Sequence, residues 1–477
     1  MSYETAVARM YTLGHELAQM PAQKFDLAHM RVLLGALNHP ERRFPSVLIA
    51  GTNGKGSTAA ALASILRASG VKTGLYTSPH LVRINERIRI NGIEIADHDF
   101  ALLHDVVERT AERLVEEGDL PWHPSFFEML TAIAFECFAQ NKVEIAVLEV
   151  GMGGRLDATN VVEPRVSVIT DISLDHQKFL GNTVTEIARE KAGIIRRDGV
   201  VVTLPQQPQA NEVIGNTILS LNARAVSAVA YVPPVSPGST EYLSTAAERR
   251  QSVAHGASRG LGANSEPALA GRQNHAAVPV SRYPLQVMGT QILVETPLIG
   301  RHQLRNLALS IAAAEELGKQ GFPISPQTVE RGIRETRWPG RFQVIPTQAD
   351  KPECVFDVAH NPAGAWALRS TLSTAYDGRP LTFIFGAMRD KAIGEMAEIL
   401  FSLAERVILT RADNPRSATP AEIREAALRI SADIEDAADV ASALDRANRL
   451  AGAKGVVVIT GSIYIVGEAM RVLGVKV

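Results

Sequence analysis

The sequence predicts an α/β fold, and three observations carry that expectation. Short runs dominated by aliphatic and β-branched residues recur along most of the chain, nearly continuous in apolar character, as strands covered on both faces require. Longer helical patterns separate them, which favours parallel pairing over hairpins. A glycine-rich turn directly after the first buried run opens a helix, the local order of a phosphate-binding βα unit.

The elements follow in sequence. Ser46–Ala50 reads as a buried strand, Ala59–Ala68 as the helix after the turn, and Gly74–Thr77 as a second strand. Val143–Val150, Val166–Thr170 and Gly199–Thr203 continue the series, with a helix across Glu186–Ile194. The segment Pro233–Val280 contains no Ile, Phe, Trp or Met and is rich in Ala, Ser, Gly and Pro. It cannot bury enough apolar surface to offset chain entropy, so the expectation is a solvated insertion of 48 residues. Tyr283–Val294 then resumes a strand-like rhythm, and Leu304–Leu317 is an Ala-rich helix. Trp338-Pro-Gly-Arg341 punctuates the chain, which places a hinge near Arg334–Pro339. Leu381–Phe385, Arg406–Thr410 and Gly455–Thr460 are the strands of a second series. Two domains result, 1–336 and 337–477.

Composition narrows the partners. Lys plus Arg total 49 against 51 Asp plus Glu, a net charge of −2, so the chain lacks the cation surplus that nucleic-acid binding uses to displace counterions. Its two cysteines, Cys137 and Cys354, have no metal-ligand spacing and fit a reducing compartment. No run of about 18 apolar residues exists to span a membrane, and Met1–Gln19 lacks the pattern of a signal peptide. A cytoplasmic location is expected.

The chemistry-bearing motifs cluster at strand ends. In Ala50-Gly-Thr-Asn-Gly-Lys-Gly-Ser-Thr58 the glycines let backbone N–H groups converge on an anion, and Lys55 meets the outer phosphates. The spacing departs from G-x-x-x-x-G-K-[ST]: Ile49 stands at the first Gly, and Gly56 separates Lys55 from Ser57. ATP or GTP is the favoured ligand. Glu149, an acid at the carboxyl end of an apolar strand, suits Mg2+, a hard cation that takes oxygen ligands; a buried acid answered by Arg155 is the plainer alternative. His176 suits either a metal or a packed, hydrogen-bonded role. Lys191 by default reads as a surface lysine on its helix. Arg341, Asp357 and His360 form a basic–acid–basic set suited to a nucleotide or a carboxylate, and a cleft between two domains would let these groups act together.

The combination resembles the folylpolyglutamate synthases and bifunctional dihydrofolate synthases of the Mur ligase superfamily. The likeness is carried by Gly51-Thr-Asn-Gly-Lys-Gly-Ser57, Thr77-Ser-Pro-His80, Leu148–Asn160, Leu174-Asp-His176, Arg189-Glu-Lys-Ala-Gly193, Gly300–Asn306, Trp338-Pro-Gly-Arg341, Asp357–Pro362 and Gly461-Ser-Ile-Tyr464. It implies a Mur-ligase-type P-loop ATPase domain followed by a smaller Rossmann-like α/β domain. It also implies ATP-dependent addition of L-glutamate to a folate or to dihydropteroate through an acyl phosphate, by a cytoplasmic monomer. By the same resemblance Asn53, Gly54, Lys55, Gly56 and Ser57 cradle ATP, with Asn306, Arg341, Asp357 and His360 as further nucleotide contacts. Ser78 and Glu149 would hold one Mg2+. His176 would hold a second, supported by Lys191 as a carbamate, and K+ is an additional candidate ion. Lys55, Lys191 and His176 carry the catalytic expectation. The pterin substrate would lie near Phe126, Phe127 and Glu128 and near Leu156, Asp157 and Ala158, with the Phe25-Asp-Leu27 region beside them.

Two other readings compete. A UDP-muramyl amino-acid ligase shares the phosphate loop but usually carries an additional N-terminal domain, for which a loop lysine at position 55 leaves no room. A nucleotide sensor without turnover is opposed by the presence together of Lys55, Ser78, Glu149, His176 and Lys191.

Overall fold

A computed structural model describes residues 1–14, 27–234, 243–244, 280–347, 351–427, 433–452, 455–475 and 477. Almost all of the expected insertion at Pro233–Val280, and Phe25 and Asp26 of the expected pterin region, lie outside the described residues.

The strands are β1 (Ser46–Ala50), β2 (Thr73–Tyr76), β3 (Ile88–Ile90), β4 (Ile93–Glu94), β5 (Ile145–Glu149), β6 (Val166–Ile169), β7 (Val200–Thr203) and β8 (Arg224–Ser227). They form an eight-stranded sheet in the order β4-β3-β2-β5-β1-β6-β7-β8. Pairing is parallel from β2 to β8, while β3 and β4 add antiparallel at one edge. The strand β1, buried at every position, is central, so the loop that follows it opens at the middle of the sheet. Helices α1 (Tyr3–Thr12), α2 (Leu27–Ala36), α3 (Lys55–Ala68), α4 (Asp97–Glu116), α5 (Phe126–Gln140), α6 (Gln177–Leu180), α7 (Val184–Ala192) and α8 (Pro208–Ser220) pack around it. The apolar residues of α1, α2, α4 and α5 make one core with one face of the sheet.

Three further strands make a small antiparallel sheet: β9 (Leu243–Ser244), β10 (Val280–Val287) and β11 (Thr290–Thr296). The expected single rhythm over Tyr283–Val294 is thus a hairpin. Met288 and Gly289 turn it with φ of 48° and 74°, the backbone hand that suits the twist of a tight two-residue turn. Helices α9 (Arg301–Lys319) and α10 (Pro326–Glu335) follow, and with α3 they cover the other face of the large sheet.

The C-terminal sheet runs β12-β13-β17-β14-β15-β16, with β12 (Gln343–Ile345), β13 (Glu353–Phe356), β14 (Leu381–Phe385), β15 (Arg406–Leu409), β16 (Asp433–Asp436) and β17 (Val456–Thr460). Only β12 among these described strands pairs antiparallel. Helices α11 (Pro362–Ala375), α12 (Ile393–Phe401), α13 (Pro420–Ala426), α14 (Val440–Ala451) and α15 (Ile463–Val472) flank it, with a core on each face.

Two expectations shift, and one strand was not anticipated. The helix after the glycine-rich turn starts at Lys55 and not Ala59, because Gly54 takes the left-handed conformation of its cap (φ 89°). Lys191 is buried, 3% exposed, rather than on the surface. Strand β16, Asp-Ile-Glu-Asp, has no apolar run to announce it and exists as an edge strand paired to β15.

Candidate functional site

Loops at the carboxyl ends of β1, β2, β5, β6, β13, β14 and β17 converge on one cleft of about 780 Å3, so the parallel sheets present their ligand-binding ends to each other.

The phosphate loop forms its floor. Thr52 and Asn53 donate their backbone N–H groups to Asp171 O, at 2.9 and 3.2 Å, which pins the loop to the end of β6. Gly54 lies so close to Asn306 on α9 that an added Cβ would stand 2.1 Å from Asn306 Oδ1. Lys55 folds back on its own loop, Nζ donating to Gly51 O (3.1 Å) and Thr52 O (3.2 Å). Asn53, Gly54, Lys55, Gly56, Ser57 and Asn306 all line the cleft.

Beside the loop, the neighbouring strands β2 and β5 bring Ser78 and Glu149 together. Ser78 N donates to Glu149 Oε2 at 3.1 Å, and both side chains face the cleft. Arg155 pairs with Glu190, at 2.9 Å. His176 caps α6 in a left-handed conformation. Its Nδ1 is buried with no hydrogen-bond partner. Burial pushes its pKa down to about 3, with Lys391, His360 and Lys55 adding to the effect against the pull of Asp175. The imidazole is therefore neutral, with an unused ring nitrogen. Lys191 does not line the cleft. It reaches the loop from behind, Nζ donating to Gly51 O at 2.7 Å, and burial together with Lys55 lowers its pKa to about 7. Among the described residues no group of three or more His, Cys, Asp or Glu side chains gathers as a chelating cluster.

The opposite wall comes from the C-terminal sheet. Asp357 accepts from Phe342 N and Ala359 N, both at 2.9 Å, and so staples the turn carrying Arg341 to the turn carrying His360. Burial, offset by the Arg341 charge, raises its pKa. His360 Nδ1 meets Val358 O at 2.9 Å. Arg341, Asp357 and His360 all line the cleft, as does His302, whose pKa is pushed down to about 4 by burial and by Arg341.

At the far end lie the residues expected near a pterin. Phe126 is 3% exposed, stacked on Tyr11 (centroids 5.8 Å apart, planes at 20°) and 5.4 Å from the Arg87 guanidinium. Phe127 is partly exposed and packs against Gly151, where a Cβ would come 2.5 Å from the ring. Glu128 caps α5 with Ser125 and meets His29 Nδ1 at 3.2 Å. Asp157 accepts from Met152 N and Thr159 N, each at 3.0 Å, holding the loop that presents Leu156 and Ala158. Leu27 also borders this end.

Four cleft-side residues were not assigned from sequence: Asp175, Lys391, Asn361 and His302. Asp175 and Asn361 stand inside motifs whose neighbours drew attention, so their signal was positional. Lys391, in Arg389-Asp-Lys391, reads as an ordinary polar turn.

Comparison with known proteins matches residues 127–225 to the Mur ligase middle domain and residues 340–463 to the glutamate ligase domain of Mur ligases. The chain is 33% identical over 457 residues to the dihydrofolate synthase/folylpolyglutamate synthase of Bacillus subtilis strain 168, covering 94% of this chain and 95% of that one. It resembles the crystal structure of Mycobacterium tuberculosis folylpolyglutamate synthase complexed with ADP and AMPPCP at a TM-score of 0.79 and 30% identity, covering 98% and 99% of the two chains. E. coli FolC in complex with DHPP and ADP superposes at a TM-score of 0.76, with 26% identity and 99% and 98% coverage.

Proposed function

The chain belongs to the folylpolyglutamate synthase and dihydrofolate synthase family of Mur ligases, and we propose that its cleft joins L-glutamate to both reduced folates and dihydropteroate at the expense of ATP. It is an ATP-dependent carboxylate–amine ligase. The observation that carries the reading is the single cleft shared by a phosphate loop, an acidic strand end and a second α/β wall.

The reaction needs an activated carboxylate, since a carboxylate is a poor electrophile. Transfer of the outer ATP phosphate makes an acyl phosphate, the glutamate amine attacks its carbonyl carbon, and inorganic phosphate leaves. Residues 54–57 hold the triphosphate by converging N–H groups, beside Asn53, whose own N–H is taken by Asp171 O. Lys55, released from the Gly51 and Thr52 carbonyls, neutralises the charge that gathers on the transferred group. Asn306 binds the nucleotide beside the phosphate loop, and Arg341, Asp357 and His360 bind it from the opposite wall. Phe127, Glu128, Leu156 and Ala158 orient the pterin end, with Phe126 and Asp157 supporting them from beneath.

The donors fit Mg2+. Ser78 and Glu149 offer hard oxygens beside the phosphate loop, and His176 has an unpartnered nitrogen. Two hard oxygens from the protein suit an ion that keeps several waters and takes phosphate oxygens. Bound there, Mg2+ supplies charge neutralisation at the phosphates. Lys191 would support the second ion as a carbamate, which forms only from a neutral amine. Its pKa of about 7 makes that form available.

We further infer a division at 336/337, a monomer and a cytoplasmic location. The Trp338-Pro-Gly turn supports the first, and the two free, buried cysteines support a reducing compartment. No described helix is long and apolar enough to cross a membrane. The test is phosphate release by purified protein, with and without K+, given each acceptor. Release that depends on both an acceptor and L-glutamate supports the proposal, and equal release without either sinks it.

A further inference from the structure

Asp175 gathers three groups from two loops of the opposite wall. Its Oδ1 accepts from Lys391 Nζ at 2.6 Å, its Oδ2 accepts from Asn361 Nδ2 at 3.2 Å, and His360 Nε2 stands 3.6 Å from Oδ2. Lys391 and Asp175 are 216 positions apart, and their side chains are only 9% and 7% exposed. Oδ1 also accepts from His176 N at 2.8 Å, which fixes the carboxylate's direction.

The network continues to the phosphate loop. Asn361 Nδ2 donates to Asn53 Oδ1 at 2.9 Å, and Asn361 Oδ1 accepts from Gly364 N at 2.8 Å as the cap of α11. A helix of the C-terminal unit is thereby fastened through its own cap to the loop that holds ATP. The ion pair beside it favours one seating, because a charge removed from water is compensated only when its partner is in place with good geometry.

We propose that Lys391 is a positioning residue: paired with Asp175, it seats the C-terminal wall on the phosphate loop and so aligns Arg341 and Asp357 with residues 53–57. This rests on the ligase reading above. Lys391 acts through Asp175 and Asn361, and its removal misaligns groups it does not touch.

The experiment uses the full chain with Lys391→Met, which keeps the aliphatic stem, and Lys391→Arg, which keeps the charge. Spin labels at the exposed positions 102 and 472 report the distance between the two walls in the presence of AMPPCP. Lys391→Met should lower kcat about 10²-fold, the scale of a misplacement of about 1 Å. KM for ATP, acceptor and glutamate should move less than about threefold, and the distance distribution should broaden. Lys391→Arg should recover part of both effects. A wild-type distribution in Lys391→Met overturns the proposal. So does a change confined to KM for glutamate with an undisturbed distribution, which would make Lys391 a substrate contact. If the wild-type protein shows no turnover dependent on acceptor and glutamate, the ligase reading fails, and the distance measurement still decides the positioning claim.

Discussion

Gly56 of the phosphate loop lies against the indole of Trp338: a Cβ at position 56 would come 2.9 Å from Trp338 Cζ2 and 3.1 Å from Nε1. The ring is stacked under Arg89 at 5.7 Å, so its edge has little freedom to retreat. Gly56→Ala should therefore cost about 1–3 kcal/mol of stability, the usual range for forced overpacking. It should also weaken AMPPCP binding, as calorimetric titration and denaturant unfolding would show. Unchanged affinity would mean that the indole does not constrain the loop.

Lys191→Ala should lose at least about 10²-fold in kcat, the scale of one lost electrostatic group at a reacting centre. Bicarbonate or a small carboxylate should restore part of it by replacing the missing anion in the pocket behind Gly51. Turnover equal to wild type would refute the carbamate role.

Asp157→Asn replaces one carboxylate oxygen with an amide NH2 group, which donates and cannot accept. The carboxylate now receives Met152 N at one oxygen and Thr159 N at the other, so one backbone donor would lose its partner. The expected cost is about 1–3 kcal/mol, together with a higher KM for the pterin acceptor and little change in KM for ATP. Steady-state kinetics on each substrate separate these outcomes.

Away from the cleft, His123 Nε2 and Glu108 Oε2 form an ion pair at 3.4 Å, with His104, Glu112 and Arg9 nearby. Glu108 raises the His123 pKa, and His123 lowers that of Glu108. The histidine's contribution is full below its unfolded pKa and is lost as pH rises through its folded value. The glutamate's contribution is present above its unfolded pKa and is lost as pH falls through its folded value. The pair therefore stabilises most between the two unfolded values, about pH 4.5 to 6.5. Glu108→Gln should lower stability by up to about 1 kcal/mol at pH 6 and leave it nearly unchanged at pH 8.5. A loss independent of pH would assign the effect to packing.

Much of the site was legible because its parts are local. The phosphate loop is a contiguous segment whose glycines, lysine and hydroxyls follow a buried strand, and Glu149 ends a strand whose apolar residues announce it. Phe127 and Glu128, at the start of a helix capped by Ser125, were reached through the family resemblance alone. Lys391 was illegible for the converse reason. Nothing near Arg389-Asp-Lys391 distinguishes it from a solvated turn, and its partner lies 216 residues away.

Residue type and short spacing were enough for the alternating α/β layout, the order of the motifs and the phosphate-binding chemistry of the glycine-rich loop. Burial and pairing were decided only by the tertiary structure. Lys191 is a helix residue like its neighbours until packing removes its water and sets it behind Gly51, where its pKa falls to about 7. Asp175 likewise becomes the anchor of the opposite wall only when the two sheets meet, since an ion pair between distant residues depends on where the fold puts them.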